Sequence, residues 1–349
     1  MKSYQRIINS DAYFMSRCLE LAKKGLGNTY PNPLVGCVIV HKNIIISEGW
    51  HKKSGEKHAE SEAIGMLIDK NILKKSVLYV NLEPCSHYGK TSPCVDLIIK
   101  MKIPRVVIGS EDPNNKVNGE GIKKLREANC NVKVGVLKKK CLELNKRFFT
   151  FHKKKRPYII LKWAESKDGF IAPKKQKQPL WLTSKKSKEF VHFQRSIENG
   201  IIIGRVTAEK DNPMLNVRGI KNAINPTRII IDKNLKLSNT LNIFNDQSKT
   251  IIVNTVKNLE IGSNLFLKIN FDNFIKELML ELYKLNILSV IIEGGSKTLN
   301  TFISEDIWDE AYVFSSNIIL KDGIKAPKIK GEIKQKYNID TDILKIYKK

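Results

Sequence analysis

No cysteine follows position 141 in this 349-residue chain; all six (Cys18, Cys37, Cys85, Cys94, Cys130 and Cys141) lie at or before it. No apolar run reaches the length of a membrane span, so no membrane partner is expected. The opening stretch MKSYQRIINSDAYFMSRCLELAKKG is broken by charges too often for a secretory signal, which places the expectation in the cytoplasm. A reducing compartment argues against a disulfide framework, leaving metal binding or core packing to explain the sulfurs. The GxGxxG fingerprint of Rossmann dinucleotide-binding domains is missing as well.

Arginine is scarce: ten against 51 lysines. The 61 basic and 35 acidic residues leave a net charge of +26, divided as +12 over residues 1–150 (26 against 14) and +14 over the remainder (35 against 21). The excess is spread and forms no basic arm. Arginine, the better bidentate reader of phosphates and bases, is the minority. With abundant Asn and Ile, the charge reads as compositional drift toward AT-rich codons, and no nucleic-acid partner is expected. A polyanion-binding surface is the other reading of the same charge.

What is present is alternation. DAYFMSRCLELAKKG reads as an amphipathic helix, LVGCVIV and NIIISEG as paired strands, and HAESEAIGMLIDK as a helix. SVLYVNL, RVVIGS and NVKVGV follow as strands separated by the helices PCVDLIIKMK and GIKKLREANC. The basic, proline-ended stretch KRFFTFHKKKRPYI marks a boundary, and the strand-like runs IIIG, TRIIID, KTIIVN, SVIIEGG and AYVFSSN resume beyond it. Two α/β domains are expected, residues 1–147 and 148–349, the second with a mostly parallel sheet.

Three segments carry chemistry. His58 and Glu60 stand in KHAESEAIG at the start of an expected helix, while Cys85 and Cys94 stand in EPCSHYGKTSPC. One imidazole and two thiolates make a three-ligand set with a fourth position open for water, as at a catalytic zinc; structural zinc normally closes all four. Glu60, one residue beyond His58, is then the carboxylate that shuttles protons. His-x-Glu with Pro-Cys is the signature of zinc deaminases, although eight residues separate the two cysteines here where two are usual. Cys37, inside VGCVIV, reads as a small core residue, and Cys18, Cys130 and Cys141 lack partner spacing. In the second half, VIIEGGSKTLNTF places a strand, a carboxylate and two glycines before a helix, a turn whose backbone N–H groups suit a phosphate or simply its own geometry.

TYPNPLVGCVIV, EGWHKKSGEKHAE, EPCSHYGKTSPC and IGSEDPNNKVNGEG, over about residues 10–140, resemble the deaminase half of the bifunctional riboflavin-biosynthesis deaminase/reductase family. Ser92 departs from the proline common there. The resemblance implies a cytidine-deaminase-like α/β/α layer domain holding Zn2+ at His58, Cys85 and Cys94, with Glu60 catalytic. It also implies a pyrimidine and phosphoribosyl pocket lined by Asn32, His51, His87, Lys90, Asp112 and Asn114. On the residues alone, Asn32 between two prolines and Asp112-Pro113-Asn114 read equally as turns.

KWAESKDGFIA, PLWLTS and FQRSIENGIIIGRVTAEKDNPMLNVRG, over about residues 157–303, resemble the reductase half of the same family, which has a dihydrofolate-reductase-like α/β fold. The implied NADPH contacts are Ser166, Trp181, Thr207, Asp211 and the turn Gly295, Ser296, Lys297, Thr298, Leu299, Asn300 and Thr301. The implied substrate contacts are Lys162, Arg195, Leu215, Arg218 and Glu293. Arg195 and Arg218 have support of their own, since arginine kept in a lysine-rich chain suggests a planar fork for phosphate; a surface salt bridge is the other reading. Glu165, Lys167 and Asn212 depart from the family pattern. The expected function is zinc hydrolytic deamination of 2,5-diamino-6-(5-phosphoribosylamino)pyrimidin-4(3H)-one, then NADPH reduction of the ribosyl side chain, in a homo-oligomer. The alternatives are a nucleic-acid base deaminase with a basic second half, and an RNA-binding protein with structural zinc.

Overall fold

The computed structural model describes residues 10–88, 92–114, 118–174 and 180–349. The chain divides into two compact units, Met1–Lys154 and Lys155–Lys349. The boundary stretch read from the sequence is partly helical: KRFFTFHKK forms a helix over Lys146–Lys154 with Phe148, Phe149 and Phe151 buried.

In the first unit, helix α1 (Asp11–Lys23) begins where the Ser10 hydroxyl accepts the Tyr13 N–H, and it buries Phe14, Met15, Cys18, Leu19, Leu21 and Ala22. Strands β1 (Gly36–His41) and β2 (Ile44–Trp50) form an antiparallel hairpin. Its two-residue turn, Lys42-Asn43, has both φ angles positive, as the right-handed twist of the strands requires. There follow α2 (Ala59–Gly65), β3 (Val77–Val80), α3 (Cys94–Lys100), β4 (Arg105–Ile108), α4 (Glu120–Glu127), β5 (Asn131–Val134), α5 (Lys138–Leu144) and α6 (Lys146–Lys154). The helix expected through Lys70 stops at Gly65, and a separate 3-10 segment covers Lys70–Lys75.

The sheet order is β2-β1-β3-β4-β5, with β3, β4 and β5 parallel. Side-chain alternation along β1 makes the three layers. Cys37 and Ile39 face a core built with Ala59, Ala63, Val95, Ile98 and Leu125 from α2, α3 and α4. Val38 and Val40 face the other way, onto Phe14, Met15, Cys18 and Cys141 from α1 and α5. Cys18, Cys37, Cys130 and Cys141 are therefore core sulfurs.

The second unit runs β6 (Tyr158–Glu165), β7 (Phe170–Ala172), α7 (Lys185–Ile197), β8 (Gly200–Gly204), α8 (Arg205–Asp211), β9 (Thr227–Ile231), β10 (Thr250–Asn254), β11 (Leu259–Ile261) and β12 (Asn264–Lys268). It continues α9 (Phe274–Lys284), β13 (Ser289–Gly294), α10 (Ser296–Ser304), β14 (Glu310–Ser315), β15 (Ile324–Lys325), β16 (Ile333–Ile339) and β17 (Asp342–Lys348). Ten strands form one sheet in the order β11-β12-β10-β9-β8-β13-β6-β14-β17-β16, and β7 pairs with β15. From β12 to β14 every pairing is parallel, while β11 and the β16–β17 hairpin run antiparallel. Strands such as IIIG and VIIE read as unbroken apolar runs because both faces are covered. Ile202 and Ile292 enter one core with Leu278 and Phe302; Ile201, Ile203 and Ile291 enter the opposite one with Phe314 and Leu344.

Candidate active sites

His58 sits just before α2 with extended backbone, its carbonyl accepting the Glu62 N–H at 2.9 Å. Close packing of β2 on α2 fixes that end: a Cβ at Gly49 would stand 2.4 Å from the Ala59 carbonyl oxygen and 2.6 Å from the Ala63 nitrogen. Cys94 is the first residue of α3 after Pro93, and its otherwise unpartnered N–H donates to Cys85 Sγ at 3.3 Å. His58 Nδ1 lies 3.5 Å from Cys85 Sγ and 3.4 Å from Cys94 Sγ, and the three donor atoms fall within 4.8 Å of one another. A tetrahedral ion with Zn–S and Zn–N bonds of about 2.3 and 2.05 Å holds sulfur and nitrogen about 3.5 Å apart. Donor set and spacing both fit zinc.

Electrostatics agree with a site built for a cation. The Cys85 thiol is held at about 4, first by the hydrogen bond from Cys94 and, against the burial that opposes it, by that from His58. Cys94 is pushed well above the ordinary thiol range by the same Cys85 partner and by burial. Glu60 is 3 % exposed, and burial raises its carboxyl above the usual range, with Cys94 against it. A protonatable carboxyl beside the three ligands is thereby in place.

Around this centre the expected pocket residues divide. His51 Nδ1 is 3.0 Å from the Lys57 carbonyl, which only accepts, so Nδ1 carries the proton and Nε2 offers its lone pair. Asn32 Nδ2 meets that nitrogen at 3.0 Å, which turns the Asn32 carbonyl oxygen away from His51. Burial lowers the His51 pKa and keeps the ring neutral. Asp112, buried and raised to about 7 chiefly by burial, accepts the Asn114 N–H at 2.7 Å in a tight turn. His87 is exposed, and Lys90 lies outside the described residues.

Glu83 is a residue that motif reading passed over. Its buried carboxylate accepts the backbone N–H groups of Asp112, Gly119, Gly121 and Ile122 at 3.0–3.2 Å. It thereby fastens the start of α4 and the Asp112 turn to the strand end that delivers Cys85. The available signal was a carboxylate directly after an apolar strand.

In the second unit, Glu293 accepts Arg195 Nε at 2.8 Å and Nη2 at 2.7 Å, with Lys162 Nζ at 3.7 Å. Burial alone would raise the Glu293 pKa; Arg195 and Lys162 overcome it and hold the carboxyl at about 2. Arg195 Nη1 reaches the Asn216 carbonyl at 3.3 Å. The planar fork expected for phosphate is thus taken up by a carboxylate at Arg195, a pairing buried rather than at the surface. Arg218 is exposed, and its guanidinium faces His192, which sequence reading had not picked out. Leu215 is buried with a positive φ of 51°.

The strand-to-helix turns β8–α8 and β13–α10 lie together. A Cβ at Gly204 would stand 2.7 Å from Thr298 Oγ1, and one at Gly295 3.0 Å from Thr207 Oγ1. The missing side chains leave a cradle beside two helix starts, which fits the diphosphate of a dinucleotide. Ser296 Oγ donates to the Lys325 carbonyl and accepts from Asn300 Nδ2, while Thr301 Oγ1 donates to the Lys297 carbonyl. Leu299 is core. The Ser166 hydroxyl donates to Asp168 at 2.6 Å and accepts the Phe170 N–H at 3.0 Å, so it is committed to its own turn. Trp181 is 60 % exposed with Lys188 Nζ 4.2 Å from its ring centre, and Asp211 closes the exposed end of α8.

Comparison with known proteins covers both units. Residues 8–110 match the cytidine and deoxycytidylate deaminase zinc-binding region, and residues 157–340 match the RibD C-terminal domain. The chain is 39% identical to the riboflavin biosynthesis protein RibD of Aquifex aeolicus, over 92% of this chain and 88% of that one. It is 33% identical to RibD of Escherichia coli, with 87% of each chain covered. A crystal structure of a diaminohydroxyphosphoribosylaminopyrimidine deaminase/5-amino-6-(5-phosphoribosylamino)uracil reductase from Thermotoga maritima superposes with a TM-score of 0.88 at 35% identity. That superposition spans 97% of this chain and 98% of the other.

Proposed function

The chain belongs to the RibD family of riboflavin biosynthesis proteins, and from that membership we infer two successive reactions on one phosphoribosylated pyrimidine. The first unit removes an amino group from 2,5-diamino-6-(5-phosphoribosylamino)pyrimidin-4(3H)-one as ammonia. The second reduces the ribosyl side chain with NADPH to give 5-amino-6-(5-phosphoribitylamino)uracil. The observation that carries this reading is the trio of donor atoms at zinc spacing beside the buried Glu60.

His58, Cys85 and Cys94 would hold zinc, which would activate a water molecule toward the amino-bearing ring carbon. Glu60 takes one proton from that water and gives it to the ring nitrogen, then takes the second from the hydroxyl now on the ring carbon and gives it to the amine, which leaves as ammonia. Its raised proton affinity suits both directions of transfer. Asn32, with its amide nitrogen on His51, presents its carbonyl oxygen to a donor on the pyrimidine. Asp112 and Asn114 hold the far side of the substrate.

In the second unit NADPH supplies the hydride, which goes to C1′ of the opened, imine-like ribose. Thr207 and the Gly295–Thr301 turn hold the dinucleotide, and Lys162 and Glu293 face the ribose. Lys162 is half-buried, and the water it loses lowers its pKa, which eases proton donation to the sugar. The deciding experiment incubates the protein with the diamino-pyrimidine phosphate, with and without NADPH, following ammonia and cofactor absorbance separately. Ammonia without NADPH and cofactor oxidation only after deamination are expected; absence of both overturns the reading.

A further inference from the structure

Two arginines stand in the reductase site, and they are held in opposite ways. Arg195 lies in a bidentate pair with the buried Glu293 carboxylate, so its charge is cancelled where it sits. The Arg218 side chain has no carboxylate partner among the described residues. Its Nε and Nη2 lie 3.4 and 3.3 Å from one atom, His192 Nε2. A guanidinium only donates, so that nitrogen must present its lone pair and the imidazole must be neutral. Burial and the charges of Arg195 and Arg218 act in the same direction, keeping a proton off the ring. Nδ1 then carries the ring's proton and lies 3.3 Å from the Arg218 backbone nitrogen, a contact between two donors and not a hydrogen bond.

We propose that His192 is a positioning residue for Arg218, orienting its guanidinium toward the phosphate of the reductase substrate while leaving its positive charge uncancelled. The proposal rests on the reductase reading above. A carboxylate would aim the fork equally well, but it would compete with the incoming anion for the same N–H groups and neutralise the charge. A neutral imidazole fixes direction at no electrostatic cost to the ligand. Lys162 and Arg195 share a single carboxylate, Glu293, while Arg218 faces the neutral His192, so these groups carry surplus positive charge before an anion arrives. Arg195 and His192 lie one helical turn apart on α7, and both face the segment that bears Arg218.

The test compares three variants of the full chain, using deaminated substrate for turnover and ribose 5-phosphate for calorimetric binding. His192→Ala should raise the reductase KM about tenfold, the size expected for one hydrogen bond to a charged group, with kcat within about twofold. His192→Gln, which keeps a neutral acceptor, should restore most of that loss. His192→Glu should be worse than His192→Ala, because it cancels the charge as well. Ribose 5-phosphate affinity should follow the same order, and ammonia release should stay at the parent rate in all three. A His192→Glu protein that binds as tightly as the parent, or a His192→Ala protein that loses kcat at unchanged KM, overturns the proposal. If parent and variants bind ribose 5-phosphate in this order yet none oxidises NADPH, the reductase reading fails and takes the assignment of the phosphate to a reductase substrate with it, while the orienting of Arg218 by His192 stands.

Discussion

Two buried carboxylates show how one residue type is turned to opposite ends. Glu60 has burial working unopposed by any strong cation in the protein, so it is fitted to gain and lose a proton. Glu293, its side chain 8% exposed, is locked to Arg195 and Lys162, so it stays ionised down to about 2. Replacing Glu60 by Gln keeps the shape and removes the proton carrier. Ammonia release should fall at least about a hundredfold, while metal analysis still finds about one zinc per chain, the three-ligand set being intact. The Glu293 pair makes a prediction about pH. A carboxyl held below the ordinary 4.5 stabilises the fold fully above that value and loses the contribution as pH falls toward about 2. For Glu293 this amounts to about 3 kcal/mol. Denaturant unfolding of Glu293→Gln should therefore show a deficit at neutral pH that narrows on acidification.

At the scale of elements, the zinc site depends on backbone approach as much as on ligands. Gly49 lets β2 lie against the first turn of α2, and no side chain fits in the gap. Gly49→Val should cost about 1–3 kcal/mol by overpacking and displace His58. Zinc content and ammonia release should drop together while NADPH oxidation on deaminated substrate persists. The five strands of the first unit, and IIIG, TRIIID, KTIIVN, SVIIEGG and AYVFSSN in the second, were legible because hydrophobic period marks them; β11, β12, β16 and β17 were not. The helix after His58 was read too long, because MLIDK continues an apolar pattern while the backbone breaks at Met66. The roles of Glu83 and the fully buried Arg228 were hidden for a different reason, although Glu83 left the trace of a carboxylate after an apolar strand. Arg228 is held by the carbonyls of Ile243 and Asn245, and Glu83 by amides some 30 to 40 positions away. Such partners are backbone groups, which leave no trace in residue identity.

At the scale of the whole molecule, each unit has its own sheet and its own two-sided core, so the two activities should separate cleanly. Chelation of the purified protein should abolish ammonia release and leave NADPH oxidation on deaminated substrate within about twofold, since all three proposed zinc ligands belong to the first unit. Loss of both activities would mean that the metal supports the second fold too. The net charge of +26 is shared between the units, and no described helix is long and apolar enough to cross a membrane.

The sequence by itself determined the two α/β regions and the membership of the family, and it singled out His58, Cys85, Cys94 and Glu60, because each rests on periodicity or on rare residues at fixed places. Only the tertiary structure decided which arginine spends its charge on Glu293 and which keeps it, and which groups hold Asp112 and Arg218 in place. Those outcomes depend on distances between side chains and backbone far apart in the chain, and such distances exist only once the sheets have brought them together.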